Sequence, residues 1–532
     1  MKTLKGDPIA KGVTMGRLVF ITEEEKGAAV EKGEPEEELK RFEDAVETAQ
    51  EQLGELYEKA VEEVGEEQAA IFEMHQALIE DEDFTDTIKE LIEEGEEASA
   101  AVKTAGDQYA QMFADMDDDY MKERAVDIRD ISSRIARILM GIADQEITEP
   151  SVIGAIELKP SQTMQMDRKL LLGFITRDGA ANSHTAILAR NLGIPAVSGI
   201  DEIEELADAF VIIDGNAGTV ITDPDDETKA EYKKIMDKEG AEKEELKKLR
   251  DAETVTTDGR RIKLYANLDD IGDLDRVLDN GAEGVGLLRS EFLYLSSSDY
   301  PTEDQLFNAY KKAAEALDGR ELIIRTLDIG ADKQVDYFCM DHEENPAMGI
   351  RAIRLCFERP AIFNTQLRAI LRAAAYGNVA VMFPMITGIA EVEKAKSMLD
   401  DARAQLKAEG IEAGDLKVGI MVETPAAVIM SEELAEIVDF FSIGTNDLTQ
   451  YTLAMDRQNS KIISFFDAHH PAVLRSIETT VRNAHKHDCV VGICGELGGD
   501  PNLTDFFLNA GVDELSVSPS KILGLRKLIR EM

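Results

Sequence analysis

From Thr256 onward, short apolar runs recur eight times, and helical stretches separate them; no other feature of this chain constrains the fold as much. The runs lie at 262–267, 284–288, 322–325, 380–384, 418–422, 440–444, 490–494 and 514–518. Eight short strands alternating with helices over about 275 residues are what a (β/α)₈ barrel needs. A doubly wound open sheet is the alternative, but no Gly-x-Gly-x-x-Gly dinucleotide fingerprint supports it. The expected barrel occupies 256–532.

The first half follows a different pattern. Residues 12–21 read as a strand. Phe42, Val46, Ala49, Leu53, Leu56 and Ala60 then recur at spacings of four and three, an amphipathic stripe. Val102, Ala105, Tyr109 and Met112 repeat it, as do Ile128, Ile131, Ile135 and Ile138. With shorter helices near 68–79 and 85–93, these predict a helical bundle over 33–143. His75, within it, reads as a packed or surface histidine rather than a catalytic one. Pro150 marks a boundary. Strands at 152–155 and 170–176 follow, then a hairpin from 211–215 to 219–221. These segments predict an α/β domain built from 1–32 and 144–225, with the bundle structural or a docking surface. A charged helical linker spans 226–255, in which Gly240 is a hinge or a tolerated helix glycine. The expected fold is therefore multidomain α/β ending in a (β/α)₈ barrel.

Charge narrows the partners. Acidic residues number 106 against 58 basic, a formal net charge of −48. Nucleic acid is excluded, since phosphate backbones require a basic face. Hydrophobic residues make up 44%, too many for a disordered acidic chain. Such a surface suits a protein that stays hydrated in very high salt, where its self-repulsion is screened. No run of 18 apolar residues is present, so no membrane insertion is expected, and Met1 to Gly6 lack a signal-peptide core. The four cysteines have no metal-type spacing, and a reducing cytoplasm is the simplest compartment.

Asp178 to Arg190 carries the first chemical motif, Asp-Gly-Ala-Ala-Asn-Ser-His-Thr-Ala-Ile-Leu-Ala-Arg. An apolar strand precedes it, and Thr185 onward reads as a helix, so His184 sits at a helix N-terminus capped by Asn182 or Ser183. Free N–H groups and the positive end of the dipole favour an anion there. A neutral imidazole in that position can attack phosphorus.

The second motif is distributed over the strand ends, the face on which barrel active sites form. Arg289 follows the second strand and Arg325 ends the third. Glu423 follows the fifth, Asn446 and Asp447 the sixth, and Cys494 ends the seventh. The arginines offer planar forks matched to phosphate or carboxylate oxygens, and Arg457 would complete the clamp from the next loop. Glu423 and Asp447 are hard ligands too few for a closed cage, and they suit Mg²⁺ that keeps waters and binds substrate oxygens. A small, doubly anionic, metal-chelating substrate follows.

Gly179 to Arg190 resembles the phosphohistidine signature of the enzymes that use phosphoenolpyruvate (PEP), usually Gly-Gly-x-Thr-Ser-His-Thr. Ala180 and Asn182 depart from it, and Asn182 keeps a side-chain acceptor. Arg325 to Lys333, Asn345 to Arg351, the Glu423 run, Gly444 to Tyr451 and Gly492 to Asp500 are similar to the PEP-binding barrel of the same superfamily. From Gly6 to near Gly524 the chain resembles the enzyme I family of the PEP-dependent sugar phosphotransferase system, Ile71 to Phe84 included. Gln458 stands where that family usually has Gly. Pyruvate phosphate dikinase and PEP synthase share the loop and barrel but add an ATP-grasp domain, which these 532 residues do not hold. A catalytically silent regulatory relative is the remaining alternative.

The resemblance implies that PEP phosphorylates His184, releasing pyruvate, and that the phosphoryl group then passes to a histidine of the small carrier HPr. It implies Mg²⁺ on Glu423 and Asp447. PEP would be held by Arg289, Arg325, Asn446, Asp447, Arg457, Lys333 and Arg351. Cys494 would protonate the enolate, and Thr163 would orient His184. It further implies a bundle that docks HPr, inserted in the phosphohistidine domain, and a homodimer formed through the barrel.

The net charge yields a test independent of any motif. Stability should rise with KCl into the molar range, where the Debye length falls to about 3 Å, and drop on dilution to about 50 mM. Thermal unfolding across a KCl series checks this; a flat melting temperature would contradict it.

Overall fold

The computed structural model describes residues 1–21, 32–64, 66–114, 119–142, 147–156, 158, 166–178, 189, 193–295, 297, 299–330, 336–457, 459, 462 and 465–532. The chain divides into two compact units, Met1–Ala241 and Glu242–Met532.

The strands of the first unit are β1 (Lys2–Lys5), β2 (Asp7–Ala10), β3 (Val13–Ile21), β4 (Ser151–Ala155), β5 (Leu171–Thr176), β6 (Ala196–Ser198), β7 (Phe210–Asp214) and β8 (Thr219–Thr222). They form one sheet in the order β1-β8-β7-β3-β4-β5-β6-β2. β3 to β6 are parallel, and β7 and β2 run antiparallel to them on either side. β1 and β2 are separated by Gly6 alone, yet they lie at opposite ends of that order. The sheet must therefore curl until its edges meet at Gly6. There the Gly6 N–H donates to the Gly218 carbonyl at 2.9 Å, and a Cβ would overlap the Ser198 carbonyl oxygen. β7 and β8 form the expected hairpin, with Asp214 accepting the N–H groups of Asn216 and Ala217 in the turn.

Between β3 and β4, five helices occur among the described residues: α1 (Pro35–Val64), α2 (Glu66–Ile79), α3 (Glu82–Glu93), α4 (Ala98–Ala114) and α5 (Asp119–Leu139). The stripes read from the sequence supply their common core, with Phe42, Ala49, Leu53 and Leu56 packing against Val102, Ala105, Ile131 and Ile135. Met112 is a correction, since it is 49% exposed. A strict seven-residue step drifts about 20° around a helix, and the packed face of α4 moves to Tyr109, Ala110 and Phe113. His75 is buried, with Nε2 3.2 Å from Asp127 Oδ1 and its ring edge-on to Phe72.

The helix Asp226–Lys247 buries no residue. Gly240 lies inside it with open space where a Cβ would be. The helix stops at Lys247, short of the expected 255, because the next carbonyls are used elsewhere. Arg526, fully buried, donates from Nη1 to the Leu249 and Arg250 carbonyls, from Nη2 to Gly281 and from Nε to Thr254 Oγ1.

The second unit is a closed parallel barrel, as the eight apolar runs require. Its strands are β9 (Lys263–Leu268), β10 (Gly284–Arg289), β11 (Glu321–Arg325), β12 (Val379–Phe383), β13 (Lys417–Val422), β14 (Phe440–Ile443), β15 (Val490–Ile493) and β16 (Glu514–Val517), with β16 pairing back to β9. Helices cover the outside, where most of the buried apolar side chains form one continuous cluster. Inside, Leu287, Ile323, Ala380, Met382, Met421, Phe440 and Cys494 make a separate apolar plug.

Arg526→Met should cost about 3 kcal/mol, because it leaves three carbonyls and a hydroxyl without their donor in a buried setting. The measurement is urea unfolding of the barrel transition followed by circular dichroism. A loss below about 0.5 kcal/mol would show that these carbonyls find other donors.

Candidate active site

Strand register brings the chemistry together. Arg289 pairs with Arg325 across β10 and β11, and Arg325 pairs with Met382 on β12. Val422, Ile443 and Ile493 form one row across β13, β14 and β15, so the residues that follow them, Glu423, Gly444 and Cys494, stand at one level. All are at the C-terminal ends of the strands. Gly444 is needed for this approach, since a Cβ there would lie 2.9 Å from Glu423 Oε2.

Two buried arginines dominate the mouth. Arg325 Nη2 donates to Glu291 Oε1 at 2.9 Å, and its Nη1 lies 3.0 Å from Asp328 Oδ2. Arg351 grips Asp328 with Nε at 3.1 Å and Nη2 at 2.9 Å, and donates from Nη1 to the Tyr451 hydroxyl at 3.2 Å. It also approaches Asp447 Oδ2 at 3.8 Å. Burial opposes both charges, but Glu291, Asp328 and Glu423 for Arg325, and Asp328, Asp447 and Glu423 for Arg351, outweigh it. Both guanidiniums are held above their ordinary range and remain cations.

The carboxylates are less comfortable. Glu423 is buried, and one oxygen accepts the Met385 N–H at 2.6 Å. Burial first, then the charges of Asp447 and Asp328, push it up to about 8 against the pull of the two arginines. This trio is thus short of positive charge, which is the donor chemistry a hard dication relieves. Glu291 Oε2, Arg325 Nε and the hydroxyls of Thr326 and Thr445 are buried with no hydrogen-bond partner among the described residues. Buried polar atoms are nearly always satisfied, so these mark groups waiting for solvent or a ligand.

The remaining candidates sit around this centre. Cys494 is 2% exposed, its Sγ–H 3.7 Å from the Ile443 carbonyl, and burial pushes its thiol up to about 11. Asn446 and Glu496 exchange two hydrogen bonds, at 3.3 and 3.1 Å. Arg289 is turned onto Asp269 at 2.7 Å and is partly exposed, and Arg457 is exposed. The structure therefore joins Arg325, Arg351, Glu423 and Asp447 and leaves those two arginines outside the buried cluster. His184, Thr163, Lys333 and Gln458 lie outside the described residues.

Glu291 and Asp328 were not singled out by the sequence reading. Their only signal is spacing, with Asp328 three residues past Arg325 and Glu291 two past Arg289. Among the described residues no group of three or more His, Cys, Asp or Glu is arranged to hold a metal ion. No helix among the described residues is long and apolar enough to cross a membrane.

Three family models match in succession: the N-terminal domain of PEP-utilising enzymes over 5–124, their mobile domain over 147–218 and their PEP-binding domain over 243–532. The phosphoenolpyruvate-protein phosphotransferase of Listeria innocua is 41% identical, covering 100% of this chain and 94% of its own length. The enzyme of that name from Staphylococcus carnosus is 39% identical over 100% and 94%, and that from Bacillus subtilis 41% over 100% and 95%.

The burial of Cys494 is open to test. At neutral pH it should resist alkylation while the exposed Cys339 reacts, and its rate should climb as pH nears about 11. Iodoacetamide labelling with peptide mapping measures both. Equal labelling at pH 7 would remove the case for a protonated thiol.

Proposed function

Because this chain belongs to the PEP-utilising enzymes, among the phosphoenolpyruvate-protein phosphotransferases, we propose that its barrel binds PEP and donates the phosphoryl group to His184. From His184 the group passes to a histidine of HPr, the first step of phosphotransferase-dependent sugar uptake. The observation that carries the reading is the buried pair Arg325 and Arg351 beside Glu423 and Asp447 at the strand ends.

The two guanidiniums supply forked donors for the phosphate and carboxylate of PEP, with Arg289, Arg457, Lys333 and Asn446 closing around it. An imidazole nitrogen of His184 attacks phosphorus, forming the N–P bond as the bridging O–P bond breaks. The electron pair leaves with the enolate of pyruvate. Fixed positive charge stabilises the transferring group, and in-line geometry requires the nitrogen within about 3–3.5 Å of phosphorus. The Cys494 thiol then gives its proton to the methylene carbon, completing pyruvate. A thiol with its pKa at about 11 keeps its proton until the enolate forms. Thr163 orients His184.

Glu423 and Asp447 would hold Mg²⁺, which supplies Lewis-acid charge to substrate oxygens when bound. The helices of residues 33–143 would dock HPr, and the barrel would carry a homodimer contact.

The test is labelled PEP with Mg²⁺, followed by assay for acid-labile, base-stable protein phosphate. Wild type should take up about one equivalent and His184→Ala none, with unchanged circular dichroism. Stoichiometric labelling of the variant would overturn the assignment of His184.

A further inference from the structure

The pole of the barrel where the strands begin is remote from this chemistry, and it holds a cavity of about 230 Å³. That is room for several waters, or for a small organic molecule. Register collects charge there. Glu514 on β16 pairs with Lys263 on β9 and Gly492 on β15, and Glu321 and Lys417 stand at the starts of β11 and β13. Ile323, Phe440 and Val490 give the cavity an apolar wall.

Hydrogen-bond accounting leaves one buried carboxyl over, and the Ser442 hydroxyl in the same lining is also without a partner among the described residues. Glu321 is well paired, accepting from Lys263 Nζ at 3.1 Å, the Tyr265 hydroxyl at 3.0 Å and Lys417 Nζ at 2.8 Å. Asp439, also lining the cavity, accepts the Val418 N–H at 2.7 Å. The Glu514 carboxyl is 4% exposed and accepts no hydrogen bond among the described residues. Two glycines make its room, since a Cβ at Gly286 or Gly492 would fall 2.6 or 3.1 Å from Oε1. Burial, with Glu321 and Asp513 adding to it and Lys263 and Lys417 opposing, pushes Glu514 up to about 8. The shift records chiefly the loss of water around the carboxyl, which the two ammoniums offset only in part.

The signs select the ligand. Three carboxylates face two ammonium groups, and both ammoniums are already held by Glu321. An anion would face a surplus of carboxylates over ammoniums. A cation finds Glu514.

We propose that this pole binds a small organic cation, a protonated amine that donates its N–H groups to Glu514 and lays a short hydrocarbon against Ile323, Phe440 and Val490. The apolar wall makes a bare metal ion a poor fit, because it offers no oxygen to complete a coordination shell.

The test uses the full chain and n-butylammonium chloride as probe, titrated by calorimetry, with n-butanol as the uncharged isostere. Saturable binding of the ammonium and none of the alcohol is expected. Glu514→Gln should weaken it by about tenfold or more. Val490→Trp, at a position 39% exposed on the cavity wall, should block entry without disturbing the core, as circular dichroism would confirm. Absence of saturable binding, equal binding of the alcohol, or undiminished binding in Glu514→Gln or Val490→Trp would overturn the proposal.

Discussion

Two guanidiniums buried within one barrel mouth are the constraint on which the candidate site depends. Neither Arg325 nor Arg351 can leave water without carboxylates in contact, and Glu291 and Asp328 meet that demand at 2.9–3.1 Å. Asp328 serves both arginines, so it couples their positions. The same carboxylate adds to the field that holds Glu423 high, and a dication at Glu423 and Asp447 would relieve it. The two guanidiniums, their counter-charges and the raised Glu423 carboxyl are thus one electrostatic system. Removing Asp328 would take from Arg351 the carboxylate it grips at 2.9 Å and from Arg325 one of its two.

This dependence explains what was and was not readable in the chain. The eight barrel strands were legible because parallel strands covered by helices are apolar throughout, and every run fell within a residue or so of the observed bounds. The strand ends were legible because chemistry concentrates there. Glu291 and Asp328 were not, since a carboxylate whose work is to pair a buried arginine looks like any loop acid until the register is known. In the first unit β1, β2 and β6 went unread. They are three or four residues long, and β2 contains Pro8, so neither length nor alternation distinguished them. Met112 failed for a different reason, the drift of a 3.6-residue helix away from a seven-residue count. The helix end at Lys247 was set by Arg526, nearly three hundred residues away in sequence, which no local pattern contains.

The plug inside the barrel connects these observations. Leu287, Ile323, Ala380, Met382, Met421 and Phe440 fill the interior between its poles, and Cys494 belongs to the same cluster. A thiol set on apolar packing cannot ionise cheaply, and burial accounts for most of its rise to about 11. For a proton donor this is an advantage. In the proposed reaction, an enolate formed above the plug would meet an acid that has kept its proton and is shielded from bulk water. Phe440 and Ile323 carry the plug down to the wall of the opposite cavity, where Glu514 accepts no hydrogen bond among the described residues. The apolar centre therefore does opposite things at its two faces, preserving a proton on sulfur at one and leaving a carboxyl without a counter-charge at the other. Both follow from the same low polarity of the barrel interior, which raises an acid that borders it unless, as at Glu321, cations in contact outweigh the burial.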